Sequence, residues 1–270
     1  MTLDNSLAKK TILVTGANGT IGKAISAQIA AKGYEVVMVC RNSGLAEAAR
    51  KEILQTVSGD ISIEIADLSQ LSEIKALAGR IQKPVFALVN NACITPRQRL
   101  ENPDGIELQF ATNVLGYFRM SLAFRPHLKK QPGSRIVNVA SFWAGDLDLK
   151  DLQFRRRHYD NNTAYRQSKQ ANRMLTVALA EHFRPDEILV NCCHPGEVNS
   201  KLSNSMGFSG SHTPEKGAET PVWLATTGMK VTGKWFEYLQ EQPCRFAAYT
   251  AEIEKLFEIC EGFSGGSRLY

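Results

Sequence analysis

Residues 11–22 read Thr-Ile-Leu-Val-Thr-Gly-Ala-Asn-Gly-Thr-Ile-Gly. TILVT is a short β-rich apolar run, and a glycine-rich turn follows it. Residues 21–32 then have the composition of a helix that stops at Gly33. A strand, a glycine turn and a helix in that order form a phosphate cradle. Gly16 permits the tight turn, Gly19 lets the backbone approach a pyrophosphate, and Gly22 allows close helix–strand packing. The new helix offers unpaired N–H groups and a positive dipole end to the anion. The turn therefore predicts dinucleotide binding.

The same grammar repeats downstream. Residues 35–40 (EVVMVC), 60–65 (DISIEI), 85–89, 135–140 (RIVNVA) and 188–193 (ILVNCC) read as strands. Helix-length segments separate them at 45–57, from Ser69, at 106–128 (weakened by Gly116 and Pro126) and at 163–183. Short apolar runs alternating with helices imply βαβ units, a parallel sheet and right-handed crossovers. The expected fold is a single-domain α/β, Rossmann-like, doubly wound parallel sheet over residues 1–270. The alternation fades near residue 195. Residues 200–214, SKLSNSMGFSGSHTP, read as a long Ser/Gly-rich loop, and residues 196–214 are expected to act as a substrate lid.

Composition narrows the function. Apolar residues are 43% and charged residues 22%, an ordinary globular balance. The formal charge of +5 is too small an excess over 270 residues to indicate nucleic-acid binding. No apolar run reaches the ~18 residues of a spanning helix, and residues 1–10 do not read as a signal peptide. Six cysteines occur without a C-x-x-C pair, and most lie in apolar segments where free Cys acts as a small hydrophobe. Cys192-Cys193-His194 has no partner at ligand spacing, so no metal site is expected. These readings predict a cytoplasmic protein with reduced thiols.

Cofactor choice turns on the end of the second strand. An acid there would bind the ribose 2′-OH of NAD. Cys40 stands there instead, followed by Arg41 and Asn42. A guanidinium grips a 2′-phosphate through its fork of donors, so NADP(H) is the expected cofactor.

Tyr165-x-x-x-Lys169 places a phenol and an ammonium one helical turn apart. A phenol of pKa ~10 is a poor acid–base at neutral pH, and a nearby ammonium would stabilise the phenolate. Ser141 ends the fifth strand, at the sheet edge that faces the ligand crevice. With TGANGTIG, Asp67-Leu68, Asn90-Asn91-Ala92, Asn113 and His194-Pro195-Gly196, the chain resembles a short-chain dehydrogenase/reductase. That resemblance implies a catalytic tetrad of Asn113, Ser141, Tyr165 and Lys169. Tyr165 would pass the proton, Ser141 polarise the carbonyl, Lys169 hold the nicotinamide ribose, and Asn113 anchor a water leading to Lys169. It puts the cofactor against Gly16, Asn18, Gly19, Thr20, Ile21, Gly22, Arg41, Asn42, Asp67, Leu68, Asn91, Ala92, Tyr165, Lys169, Pro195, Gly196 and Val198. Cys93 departs from the pattern, standing where the family usually has Gly.

Ser141 and Tyr165 are separated by 24 positions, longer than the common family spacing. The intervening segment, Cys40-Arg41-Asn42, the residues 164–169 (AYRQSK) and His194-Pro195-Gly196-Glu197-Val198 are similar to the retinol-dehydrogenase-like branch. That branch implies NADP(H) and lipophilic alcohols, aldehydes and ketones; no apolar N-terminal anchor is apparent. Phe142, Trp143, Phe154, Leu202, Met206 and Phe208 are candidate pocket walls. Arg155, Arg156 and Arg157 read either as a solvated run or as an anion patch. Family members often pair through helix faces, so a homodimer or homotetramer is compatible. Two alternatives stay open, an idle NADPH-binding sensor or scaffold and a reductase of activated C=C bonds; a hydrolase-like motif, Gly262-Phe263-Ser264-Gly265-Gly266, is also present. The last motif lacks the strand-to-helix elbow and later His that it requires, and reads as a flexible tail.

Overall fold

The computed structural model describes residues 9–265. Strands β1 (Thr11–Thr15), β2 (Glu35–Cys40), β3 (Asp60–Ile65), β4 (Ala87–Asn90), β5 (Arg135–Val139), β6 (Leu189–His194), β7 (Trp235–Glu237) and β8 (Gln240–Gln242) form one sheet in the order β3-β2-β1-β4-β5-β6-β7-β8. Every neighbouring pair is parallel except β7–β8. Strand order reverses between β1 and β4, which opens a crevice at their carboxyl ends.

Helices α1 (Thr20–Ala31), α2 (Ser43–Leu54) and α7 (Pro214–Thr226) cover one face; α3 (Leu71–Arg80), α4 (Gly116–Leu128), α5 (Asn161–His182) and α8 (Thr250–Phe263) cover the other. Strand periodicity explains the two cores. Ile12 and Val14 enter the α1 side, while Leu13 between them enters the α4 side. A strand buried on both faces must be apolar throughout, hence the continuous runs. Helix α8 lies across α4 and α5, with Phe257 edge-on to Phe118 at 5.1 Å and stacked on His182 at 4.0 Å.

Several expectations are corrected. The sheet extends past residue 195 and ends in an antiparallel hairpin. The segment 200–214 is not all loop: α6 (Lys201–Ser205) is closed by a Ser200–Ser203 capping box, and Pro214 opens α7 behind the Thr213 cap. The helix expected from Ser69 begins at Leu71, because Asp67 and Ser69 form a side-chain turn first. The helix at 106–128 opens with a π turn, Phe110–Leu115, in which the Gly116 N–H reaches back five residues to the Ala111 carbonyl. Pro126 is tolerated in α4, which runs on to Leu128. The expected flexible tail is helical to Phe263, and buried Ser264 donates to the Cys260 carbonyl; residues 266–270 lie outside the described part. No described helix is long and apolar enough to cross a membrane.

Candidate active site

The phosphate turn is built by close approach. Gly16 has φ 62°, and a Cβ there would lie 2.7 Å from the Ala92 Cα. A Cβ on Gly22 would lie 2.3 Å from the Gly16 carbonyl oxygen and 2.7 Å from Asn91 Nδ2. Thr15 ties the turn to β4: its hydroxyl accepts the N–H groups of Asn91 (2.8 Å) and Ala92 (3.0 Å). Asn91 Nδ2 donates to the Thr15 carbonyl at 2.9 Å. Helix α1 starts behind Gly19 with no side-chain cap and no acid in its first turn. Its leading N–H groups at Thr20, Ile21 and Gly22 therefore remain available to an anion, beside half-buried Asn18.

Burial pushes the Cys40 thiol up, against the backbone N–H groups of Ala17 and Asn18. Arg41 is exposed at the rim and makes no hydrogen bond or ion pair among the described residues. Asn42 has a second employment: its Oδ1 accepts the Leu45 N–H at 2.9 Å and caps α2. Asp67 likewise turns inward, accepting from the Ser69 N–H at 3.0 Å and Gln70 Nε2 at 3.3 Å, with Leu68 buried beside it. On the far side, Gly196 has φ 91° and packs against His212, leaving 2.5 Å between a Cβ and Nδ1. Val198 next to it bridges to His212, and the Pro195 carbonyl packs on Gly217.

Ser141, Tyr165 and Lys169 converge where β5 meets α5. Ser141 is 7% exposed, accepts the Trp143 N–H at 3.1 Å, and its hydroxyl lies within hydrogen-bonding reach of the Tyr165 phenol. Asp160 caps α5 by accepting the Thr163 N–H at 2.7 Å, which fixes the turn carrying Tyr165. Lys169 is 2% exposed; its Nζ donates to the Val139 carbonyl at 3.0 Å and lies 5.5 Å from the Tyr165 ring centroid. The Tyr165–Lys169 spacing predicts a depressed phenol pKa. Burial instead pushes Tyr165 well up, the neighbouring Cys93 adds to this, and the Ser141 hydrogen bond works the other way. The ammonium is turned to a backbone carbonyl rather than to the phenol oxygen.

Asn113 sits fully buried in the π turn. Its side chain clamps Ile94 at both ends, accepting the Ile94 N–H and donating to the Ile94 carbonyl, each at 2.9 Å. The structure thus ties Asn113 to the segment after β4. Two residues outside the expected set join this centre. Burial pushes the Cys93 thiol up, and the nearby Lys169 ammonium works the other way. The Tyr117 hydroxyl donates to Val139 O at 3.3 Å, sharing that acceptor with Lys169. Tyr117 follows Asn113 by four positions, and that spacing was the available signal.

The apolar wall is smaller than expected. Trp143 stands 6.1 Å from the Tyr165 ring and meets Phe208 edge-on at 4.9 Å. Leu202 is half-buried and Met206 buried, while Phe142 is 67% exposed. Phe154 is not a wall: it is 4% exposed, packed on Tyr159 at 5.3 Å and under the Arg157 guanidinium at 4.1 Å. Asp151 organises the basic run by accepting the backbone N–H groups of Arg155, Arg156 and Arg157 at 2.7–3.1 Å. Arg157 folds back onto Gln167, and Arg155 onto the Gly105 carbonyl. Among the described residues no group of three His, Cys, Asp or Glu is placed to hold a metal ion.

Comparison with known proteins gives this geometry a family. The family model for short chain dehydrogenases matches residues 10–207. The chain belongs to the short-chain dehydrogenase/reductase family. It is 32% identical to human retinol dehydrogenase 13 over 256 residues, covering 86% of this chain and 77% of that protein. It is 30% identical to bovine dehydrogenase/reductase SDR family member 12, covering 96% and 87%. An uncharacterized protein from Mycobacterium paratuberculosis superposes with TM-score 0.81 at 27% identity, covering 97% and 95%. A structure from Beutenbergia cavernae, described as an NAD(P)-dependent gluconate 5-dehydrogenase with NADP at low occupancy, gives TM-score 0.68 at 27% identity, covering 86% and 95%. The short-chain dehydrogenase/reductase reading and its retinol-dehydrogenase-like branch hold, and the protein is an oxidoreductase acting between CH–OH and C=O.

Proposed function

We propose that the protein interconverts an alcohol and a carbonyl on a lipophilic small molecule, using NADP(H). The observation that carries this reading is the Trp143–Phe208 pair, with Trp143 standing 6.1 Å from the ring of Tyr165, whose hydroxyl is within reach of Ser141. It gives a reacting oxygen two donors and its carbon skeleton an apolar side. The residues of the phosphate turn fit a dinucleotide: glycines stand where a Cβ would collide, and the uncapped α1 terminus faces the turn. Arg41, exposed and without a partner among the described residues, suits a 2′-phosphate.

When bound, the nicotinamide supplies or accepts the hydride at the substrate carbon. Tyr165 Oη gives the proton to the carbonyl oxygen in reduction and takes it back in oxidation. Its raised pKa keeps the phenol protonated in the resting site, the form that reduction requires. Ser141 donates a hydrogen bond to the same oxygen and stabilises its developing charge. Lys169, released from Val139, would hold the nicotinamide ribose. The test is a homologous series of hydrophobic aldehydes and ketones, assayed by NADPH consumption with product identification. Each well-buried methylene contributes ~0.8 kcal/mol, so kcat/KM should climb with size until the wall is covered. A flat response, or turnover of small sugars in preference, would overturn the reading.

A further inference from the structure

Arg173 lies one turn of α5 beyond Lys169 and two beyond Tyr165, so all three point from the same face. It is 6% exposed. Its guanidinium sits 3.8 Å from the Trp235 ring centroid and 4.9 Å from that of Phe246. Among the described residues it has no acceptor and no carboxylate within ion-pair distance, and Nε is completely buried without a hydrogen-bond partner. The two terminal amino groups meet no acceptor among the described residues either. The other two buried arginines each bond through a terminal amino group, Arg119 to the Phe263 carbonyl and Arg135 to the carbonyls of Gly133 and Thr227, although Arg119 Nε, like Arg173 Nε, makes no hydrogen bond among the described residues. A guanidinium stays charged at any physiological pH, so burial without an anion leaves its donors unused.

The surroundings are built for a negative group. Arg245 approaches the same Phe246 ring at 4.7 Å, and its Nη2 reaches the Ala144 carbonyl in the segment after Ser141. Strand register places Cys192 opposite Trp235, and His194 two residues on faces the same side of the sheet. His194 Nδ1 is itself buried without a partner. The His194 ring lies 6.3 Å from the exposed Phe142 and 6.4 Å from the exposed Tyr238. Glu237, the acid of β7, is engaged by the Trp235 indole N–H at 2.8 Å and makes no ion pair with Arg173.

We propose that Arg173, with Arg245 and His194, forms an anion-binding subsite beneath the β6–β7 side of the crevice, and that it takes the carboxylate of a lipophilic oxo acid or hydroxy acid. Eight helical residues separate Tyr165 from Arg173, a span of about 12 Å. The carboxylate therefore stands a medium-length hydrocarbon chain away from the reacting carbon. A guanidinium clamped by rings offers a forked, pre-oriented donor pair to such a group. This inference rests on the carbonyl–alcohol reading and names the substrate class of that same site.

The experiment compares a medium-chain ω-oxo carboxylate with its methyl ester, using wild type, R173M and R245A with NADPH. A parallel arm measures thermal stabilisation by the saturated carboxylate of equal length, which carries no reacting carbonyl. Wild type should prefer the acid at least tenfold in kcat/KM. R173M, whose unbranched side chain refills the space between the rings, should lower the acid-to-ester ratio about tenfold through KM. R245A should lower it about threefold, and being exposed it serves if R173M does not fold. The saturated acid should raise the Tm of wild type and not of R173M. Equal use of acid and ester by wild type overturns the subsite while leaving the proposed reaction intact. Stabilisation by the saturated acid that depends on Arg173, with neither carbonyl turned over, upholds the subsite and overturns the proposed reaction.

Discussion

Gly22→Ala tests the phosphate turn more directly than any charged substitution. Gly22 lies inside α1, so helix propensity alone favours alanine by up to about 1 kcal/mol. Any loss therefore reports the collision. The new methyl would start 2.3 Å from the Gly16 carbonyl oxygen and 2.7 Å from Asn91 Nδ2. Ordinary contact requires a retreat of about 1 Å, and the first obstacle is backbone that cannot rotate away. Overpacking of this kind costs about 1–3 kcal/mol, and at about 2–4 °C per kcal/mol the Tm should fall roughly 2–12 °C. The turn that retreats is the one that would cradle the pyrophosphate, so NADPH Kd should rise tenfold or more. Gly79→Ala is the control: it is also helical, nothing lies within 4 Å of its Cβ position, and it should be neutral to slightly stabilising. Thermal unfolding and fluorescence titration with NADPH read both effects. Unchanged stability and cofactor affinity in Gly22→Ala would refute the packing argument.

Tyr165→Phe keeps the ring and removes the proton donor; turnover should fall about 10²–10⁴-fold while NADPH still binds, and near-normal turnover would show that another group is the acid. Arg41→Ala should raise NADPH Kd roughly 10- to 100-fold and leave NADH unchanged, since a charge-assisted hydrogen bond contributes about 1.5–3 kcal/mol; an equal loss for both cofactors would remove Arg41 from 2′-phosphate recognition. Burial holds the His194 imidazole down at about 4 from an ordinary 6.5, with His212 and Arg173 adding to the effect. Because the folded value is depressed, the neutral ring's contribution is complete above pH 6.5 and is lost as pH falls toward 4, by roughly 3 kcal/mol. Glu107, pushed up to about 6 by burial, acts in the opposite sense and withdraws roughly 2 kcal/mol as pH rises from 4.5 through 6. Urea denaturation across pH 4–8 should therefore show a flattened acid limb in His194→Gln, and an unchanged limb would reject the assignment.

The legible parts of the fold were those whose physics is repeated along several residues. β1, β2 and β3 appear at their expected bounds because burial on both faces demands unbroken apolar runs or clear alternation. β7 and β8 were not legible: three residues each, WFE and QEQ, carry no period. Their two-residue turn is Tyr238-Leu239, both at positive φ (49° and 66°), where Asn-Gly would have announced a hairpin. Motif residues could be numbered from the sequence because chemistry fixes their types, but their partners could not. Asn42 and Asp67 bond to their own backbone neighbours, as short polar side chains do, and only coordinates reveal that competition. Arg173 occupies a position that helix periodicity assigns to the interior, and the ring pair that shelters it comes from residues 62 and 73 positions later. Phe154 looked like a pocket residue because composition does not distinguish an apolar side chain facing substrate from one facing its own loop.

The π turn at Phe110–Leu115 has a consequence for how this helix tolerates change. It is an α-helix holding one residue too many, with the surplus absorbed in a single widened turn just before α4. Deleting one residue from a regular helix rotates everything beyond it by about 100° and ruins its packed face. Here a one-residue deletion would instead restore the regular α pattern and leave α4 docked as before. The helix would gain in regularity, and Asn113 would lose its two-sided grip on Ile94. The surplus residue is thus a local sacrifice of helical order, kept where a site needs an amide at an angle that an unbroken helix does not offer.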